Sequence, residues 1–364
     1  MTLLQHGSSG FSGSYLAGDV TFLLRRMLIA PTRAAEKERL IQTGQKHYSE
    51  MISEESPPSL AYQKIFWAAF NQGRDRLGRD IAALARAIFR KVEGPITLAS
   101  LVRAGIPPGI LLKRALAELG ADVEHFGISI IRDKGLDAAA IGHILETRPV
   151  NGLVFVDGWT GKGAIAAELE RDFMRLFARP ARLVVVADLC GSAWLAASGD
   201  DWLIPSGILG STISGLISRS ILNAETAAAG GFHGCIEWDY LAAHDFSREF
   251  ITKAWTDVLR HLHIADQALW TGDDRLRQRD RAAAAVSWVA ARHAVTDDNR
   301  IKPGIAEATR AILRRIPERI FVTSRNDPDL AALVFLAERA GVPFEIVPEK
   351  IFPYRAVTLI AKVK

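Results

Sequence analysis

The chain is expected to be an α/β protein: an open parallel sheet with helical additions, followed by a small C-terminal α/β module. Three observations predict this. Three apolar strands run one after another into loops rich in glycine or charge, and helices follow two of them directly. Long helical patterns flank this core on both sides in sequence. The last sixty-five residues, from Arg300, alternate helix and strand on a shorter scale.

Met1 to Gly18 is rich in Gly and Ser without periodicity and reads as a loose arm within a first unit of residues 1–33, with Ser14 to Leu24 docked on the main body. Helical spacing runs from about Ala34 to Met51 and from about Ala61 to Arg90. The second stretch places Ile65, Phe66, Ala69, Phe70, Leu77, Ile81, Leu84, Ile88 and Phe89 on one side, which predicts a layer or hood over the sheet. Residues 34–265 are taken as the sheet domain.

Within it, Pro95 to Leu116 reads as strand, Arg103-Ala104-Gly105 turn, and a helix opened by prolines. A strand from Ile128 to Ile131 leads into Arg132-Asp133-Lys134, a charged segment expected to be mobile. Val154 to Leu169 reads as a buried strand ending in Asp157, a Thr160-Gly161-Lys162-Gly163 turn, and an alanine-rich helix. Backbone N–H groups of such a turn can converge on an anion at the positive end of the helix; Lys162 adds charge, and Asp157 is free for a sugar hydroxyl or a metal. In an open parallel sheet these loops share the carboxyl edge, where ligands bind. A fourth strand spans Leu183 to Asp188. Beyond it, Asp188, Asp200, Asp201, Ser206, Ser218 and Arg219 are polar groups amid apolar residues, each readable as part of an acceptor pocket or as a turn residue.

The order of these loops resembles the type I phosphoribosyltransferases. The resemblance implies that Arg103, Ala104 and Gly105 take a pyrophosphate, that Arg132, Asp133 and Lys134 form a flexible loop, and that Asp157, Gly158, Trp159, Thr160, Gly161, Lys162 and Gly163 hold the phosphoribosyl group. It further implies Asp157 and Arg103 as catalytic residues, and phosphoribosyl diphosphate joined to a base-like acceptor through an N-glycosidic bond. Magnesium, reached by Asp157 only through the substrate, would be the cofactor. The family carries two adjacent acids where this chain has Asp157-Gly158. A non-catalytic nucleotide-sensing RNA-binding protein is therefore a standing alternative.

Gly230 to Tyr240, GGFHGCIEWDY, suggests a different chemistry, with His233 two residues from Cys235. On a strand such side chains point in parallel, and productive thiol–imidazole pairs are normally assembled from distant segments, so the pattern favours a structural cysteine. A cysteine hydrolase using Cys235 or Cys190, with His233, is the second alternative. Two cysteines make no disulfide framework, and no zinc spacing is present. This motif, with GSYLAGDVTFLL and HYSEMISEES, is similar to a bacterial family of tellurite-resistance gene clusters, labelled both phosphoribosyltransferase-like and StiP cysteine protease. The residue pattern favours the first label, in a stress or tellurite-resistance role.

Asp245 to Ala265 and Asp273 to Ala294 are helical in pattern, residues 266–299 are taken as a helical linker, and DDNRIKPG marks the boundary before a module of residues 300–364. That module reads as a helix from Gly304 to Arg315, a strand from Arg319 to Thr323, a helix from Pro328 to Ala340, and strands from Pro343 to Val347 and Ala356 to Val363. It resembles the Pelota-type RNA-binding domains, which implies RNA contact through Lys302, Gly304, Glu307 and Arg310. Ala306 stands where that family has an amide. Eleven Lys or Arg against seven Asp or Glu from residue 301 onward account for the whole net charge of +4. The most apolar run, from Leu183, is about fifteen residues long and contains Asp188, too short and polar for a bilayer. A cytoplasmic protein without membrane contact is expected, with a homodimer left open.

Overall fold

The protein is described by a computed structural model over residues 10–264, 269–270 and 272–362. Residues 1–9 of the expected arm, 265–268 and 271 near the expected linker, and Val363 of the final strand lie outside them.

A six-stranded parallel sheet organises the first domain, in the order Thr21–Phe22, Val123–Ile128, Ile96–Leu101, Leu153–Thr160, Leu183–Asp188, Leu195–Ser198. The central strands are apolar on both faces because helices cover both. Leu98, Val154, Val156, Val184 and Val186 pack into one cluster beneath the Leu60–Lys91, Ile106–Glu118 and Ser247–Leu262 helices. Ala99, Phe155 and Val185 face the opposite cluster, with Ile141 of the Ala138–Leu145 helix and Leu169 and Phe173 of the Ala164–Phe177 helix. Phe66, Phe70, Leu77, Ile81, Leu84 and Ile88 of the long helix are buried as its spacing predicts, whereas Phe89, expected on the same side, is 43% exposed.

Several boundaries differ from the sequence reading. Residues 10–26 are part of the body: Thr21–Phe22 is the edge strand, and the Tyr15 hydroxyl donates to the Ile213 carbonyl at 2.8 Å. The expected helix over Ala34 to Met51 stops at Gln42, and Tyr48–Glu50 is a separate turn capped by His47. The strand from Ile128 is split. Val123–Ile128 ends in the sheet, and Ile130–Ile131 pairs with Gly135–Leu136 as a hairpin that carries Arg132, Asp133 and Lys134 at its tip. The segment expected as linker contains the Gly272–Arg292 helix, which is strapped to the first domain. Arg275 donates to the carbonyls of Ala193 and Trp194 at 2.7 and 2.6 Å, and Gln278 to that of Gly199 at 2.9 Å.

The C-terminal module is a four-stranded sheet in the order Ile301–Pro303, Ala356–Ile360, Pro317–Val322, Phe344–Ile346, with the Ile305–Arg314 and Ala331–Arg339 helices packed together. It docks on the carboxyl edge of the large sheet. Buried Asp201 accepts hydrogen bonds from the Ile305 N–H at 2.9 Å and the Arg355 N–H at 2.7 Å. Burial pushes its carboxyl up to about 6, against the pull of those two N–H groups. Asp201→Ala strands both donors in a dry interface, and the expected loss is about 2–4 kcal/mol of unfolding free energy in urea titrations. An unchanged midpoint would show that the docking does not rest on this carboxylate.

Candidate functional site

A cavity of about 310 Å³ opens where the carboxyl edge of the large sheet meets the C-terminal module. Strand geometry delivers its floor. Asp157, Trp159 and Thr160 lie on the Leu153–Thr160 strand, which runs three residues further than the sequence reading placed it. The reason is the neighbouring strand: Asp157, Trp159 and Thr160 pair with Val185, Ala187 and Asp188, and the Thr160 hydroxyl donates to Asp188 at 2.7 Å. Only Gly161, Lys162 and Gly163 remain as the turn. The expected cradle of N–H groups beginning at Thr160 is thus shorter than predicted. Gly163, at φ +86°, caps the Ala164–Phe177 helix.

The Arg103-Ala104-Gly105 turn follows the Ile96–Leu101 strand as expected, and Gly105 allows a close approach: a Cβ there would lie 2.1 Å from the Val156 carbonyl oxygen. Arg103 is buried, pairs with Glu55 at 2.7 Å and donates to the Ile217 carbonyl at 2.9 Å. Burial works against the Glu55 charge, but Arg103 and its neighbours hold its carboxyl down to about 2. Asp157 is the opposite case. Burial pushes it up to about 7, and the Gly158 N–H donates to it at 2.8 Å.

From the module side, the Ile305–Arg314 helix presents Glu307, Arg310 and Arg314 to the same cavity, spaced three and four residues apart. Arg310 lies 4.7 Å over the Trp159 ring and donates to the Gly207 carbonyl at 3.1 Å. Arg132, Lys162, Arg219 and Lys302 complete seven cationic groups against two carboxylates, Asp157 and Glu307. Arg132 and Arg219 both sit over the Tyr48 ring, at 5.2 and 5.3 Å.

Several expected site residues are elsewhere. Asp188 accepts from Thr160 and from the Ser192 and Ala193 N–H groups, each at 3.0 Å or less, and serves the turn after its own strand. The Ser218 hydroxyl donates to the Arg219 carbonyl and accepts from the Ile236 N–H. Ser206 is buried outside the cavity lining. Of the expected acceptor pocket only Arg219 faces the cavity. The residues expected to contact RNA turn inward as well. Lys302, Glu307 and Arg310 line the cavity, and Gly304 and Ala306 are buried against the first domain, where a Cβ on Gly207 would lie 3.0 Å from that of Ala306. Sequence reasoning missed Glu55, Tyr48 and Arg314. The three-and-four spacing from Glu307 to Arg314 was the available signal, but nothing in it says which body the helix faces.

The two thiols differ in place. Cys235 belongs to the core with no exposed surface, and burial pushes its thiol far above the ordinary range. Its neighbour His233 is hydrogen-bonded to Ser129 through Nδ1 at 2.7 Å, so the ring is committed away from the thiol. Cys190 belongs to the same core cluster but also lines a second cavity, of about 650 Å³, with Lys162, Gly163, Ser192, Arg279 and Tyr354. Its Sγ lies 3.1 Å from the Ser192 hydroxyl, and a Cβ on Gly163 would come within 3.2 Å of it. The thiol therefore sits beside the amino end of the Ala164–Phe177 helix. Burial raises its pKa, and hydrogen bonds from Ser192 and Thr160 oppose the rise. Lys162 and Gly163 line both cavities.

Residues 13–254 match the family described as tellurite-like stress resistance cysteine protease StiP, and residues 280–362 match the Pelota RNA binding domain. A protein of Acinetobacter baylyi named "Cysteine protease StiP" is 47% identical over 364 residues, covering 97% of this chain and 95% of its own. A solved structure described as an analysis of an invariant aspartic acid in HPRTs, asparagine mutant, covers 47% of this chain and 93% of its own at 14% identity. Its TM-score of 0.26 carries no fold assignment. The relative's name corrects the expectation of phosphoribosyl transfer to a base: the matched protein is named a protease. Similarity over nearly the whole chain, with a family match across most of the sheet domain, shows that this protein belongs to the StiP family.

Proposed function

We propose that the chain is a thiol-dependent peptide hydrolase and that Cys190, not Cys235, is its nucleophile. What supports this reading is the contrast between the two cysteines. Cys190, itself only 7% exposed, lines a cavity beside a helix amino end, whereas Cys235 has no accessible surface. A helix amino end stabilises a thiolate, and Lys162 and Arg279 add positive charge to the same cavity. In the proposed reaction the Cys190 thiolate attacks the peptide carbonyl carbon, the amine leaves with a proton, and water then cleaves the thioester. Among the described residues no histidine lines this cavity. Lys162 lines the same cavity, its Nζ donates to the Asp298 carbonyl, and burial pulls its ammonium below its usual range; in the proposed reaction it carries the proton.

This assignment has a pH signature. Burial raises the Cys190 thiol above its ordinary range, so through neutral pH the thiolate fraction grows roughly tenfold per pH unit. Peptide cleavage, and alkylation of Cys190 by iodoacetamide, should rise steadily from pH 6 to 9 without the plateau near neutrality that a histidine-paired thiolate gives. Cys190→Ala should lower cleavage at least about 1,000-fold with an unchanged melting curve. Cys235→Ala should leave cleavage within about twofold of the unmutated protein in the fraction that stays folded. Retained cleavage in Cys190→Ala would remove the assignment.

A second reading, RNA contact by the C-terminal module, is supported by the Pelota match. Because the Gly304 to Glu307 turn is packed inward, the contacts fall to exposed cations of the module such as Arg339 and Lys350. Such phosphate contacts predict binding to structured RNA that weakens at least about tenfold between 50 and 200 mM salt, with little sequence preference. The double variant Arg339→Glu, Lys350→Glu should bind several-fold more weakly. Salt-independent binding, or binding indifferent to that variant, would locate recognition elsewhere.

A further inference from the structure

In the hydrolase reading the C-terminal module does more than roof the sheet edge. We propose that Tyr354 of this module is a positioning residue for Cys190: its hydroxyl holds the Gly161-Lys162-Gly163 turn, and with it the amino end of the Ala164–Phe177 helix, against the thiol. This rests on the assignment of Cys190 as nucleophile and makes the reactivity of that thiol depend on the docked module.

The turn needs holding. It is three residues long, two of them glycine, and Gly163 sits at φ +86°. Glycine loses more backbone freedom on ordering than any other residue, so such a segment takes its shape from what it touches. Two tethers come from the C-terminal part of the chain. The Tyr354 hydroxyl donates to the Gly161 carbonyl at 3.1 Å, and Lys162 Nζ donates to the Asp298 carbonyl. Tyr354 is itself firmly placed. Its side chain has no exposed surface, its N–H donates to the Ile351 carbonyl at 2.8 Å, and the N–H of the next residue, Arg355, donates to Asp201 at 2.7 Å. Burial pushes the phenol far above its ordinary range, so the hydroxyl keeps the proton it donates.

The other end of the link is the thiol. A Cβ on Gly163 would lie 3.2 Å from Cys190 Sγ, and the Cys190 N–H donates to the hydroxyl of Thr160, the residue before the turn, at 3.3 Å. Tyr354, Gly163 and Cys190 line one cavity. The amino end of a helix favours a thiolate only within its first turn, so a small drift of Gly163 changes what Cys190 feels. Among the described residues, the charged groups facing the thiol are Asp188 on its own turn, Arg279 on the Gly272–Arg292 helix, Lys162 on the glycine turn, and Glu170 and Asp298 in the cavity lining. Removing the phenol hydroxyl alters none of these charges, so a shift in the thiol's titration reports a change of position.

The test is Tyr354→Phe in the full-length protein, which keeps the ring and removes the hydroxyl. Alkylation of Cys190 by iodoacetamide is followed by mass spectrometry from pH 6 to 10 in the cold, with buried Cys235 as the fold reporter in the same sample. The variant should react about threefold more slowly through neutral pH, with its profile displaced upward by about half a unit and Cys235 unmodified. Its kcat for peptide cleavage should fall by about the same factor, with KM within about twofold. Arg325→Ala, on an exposed part of the same module, should change neither. Gly163→Ala moves the same turn without touching the tyrosine and should displace the profile in the same direction; if it does not, the turn does not set the thiol and the proposal fails. An unshifted profile in Tyr354→Phe, or alkylation uniformly faster at every pH, would make the tyrosine merely structural and overturn the proposal. Alkylation needs no peptide, so failure of the hydrolase reading, seen as cleavage retained in Cys190→Ala, is distinguishable from failure here.

Discussion

The docking of the C-terminal module on the carboxyl edge of the large sheet is the contact on which the candidate sites depend. Asp201 fixes it by accepting two backbone N–H groups of the module, and Arg310 extends it by lying on Trp159 and donating to Gly207. A parallel sheet alone offers a row of loops at that edge. Here the module roofs the row, so that groups from strands near residues 100 and 157 face a helix some 150 residues later in the chain. The Gly272–Arg292 helix closes the remaining side, with Arg279 donating to the Gly191 carbonyl at 2.8 Å beside Cys190. A module assembled this way is part of the site, and a truncation before residue 300 would remove Lys302, Glu307, Arg310 and Arg314 from its walls.

Much of the sheet domain was legible because a buried parallel strand leaves an unbroken apolar run, as Leu183 to Ala187 does, and a surface helix leaves a stripe, as Phe66 to Ile88 does. Helix and strand ends were less so. The strand from Leu153 was expected to stop at Asp157 because a carboxylate followed by glycine looks like a turn, yet the ladder to Leu183–Asp188 carries it on to Thr160. Local chemistry signals the turn, while pairing that forms only in the folded sheet overrides it. The inward facing of Lys302, Glu307 and Arg310 was illegible for a similar reason. A charged helical face looks the same whether it meets solvent, RNA or another domain.

The thiols show the limit of motif reading in another way. His233-Gly234-Cys235 drew attention by proximity, but Gly234–Cys235 is a short strand paired with Arg25–Arg26 that aims the thiol into the core, while the imidazole turns to Ser129. Cys190 carried no local motif at all. Its position is created by the tight turn after Leu183–Asp188, held by Asp188, and by Gly163, whose lack of a side chain leaves room for Sγ beside the helix end. The family is described as a cysteine protease, and the proposed selection of Cys190 over Cys235 rests on their geometry.

Covalent capture tests that selection most directly. Intact protein treated with a peptidyl chloromethyl ketone, digested and analysed by mass spectrometry, should carry the adduct on Cys190 and none on Cys235. An adduct on Cys235 in protein that remains folded, or a Cys190 that stays unmodified while peptide cleavage is inhibited, would contradict the account.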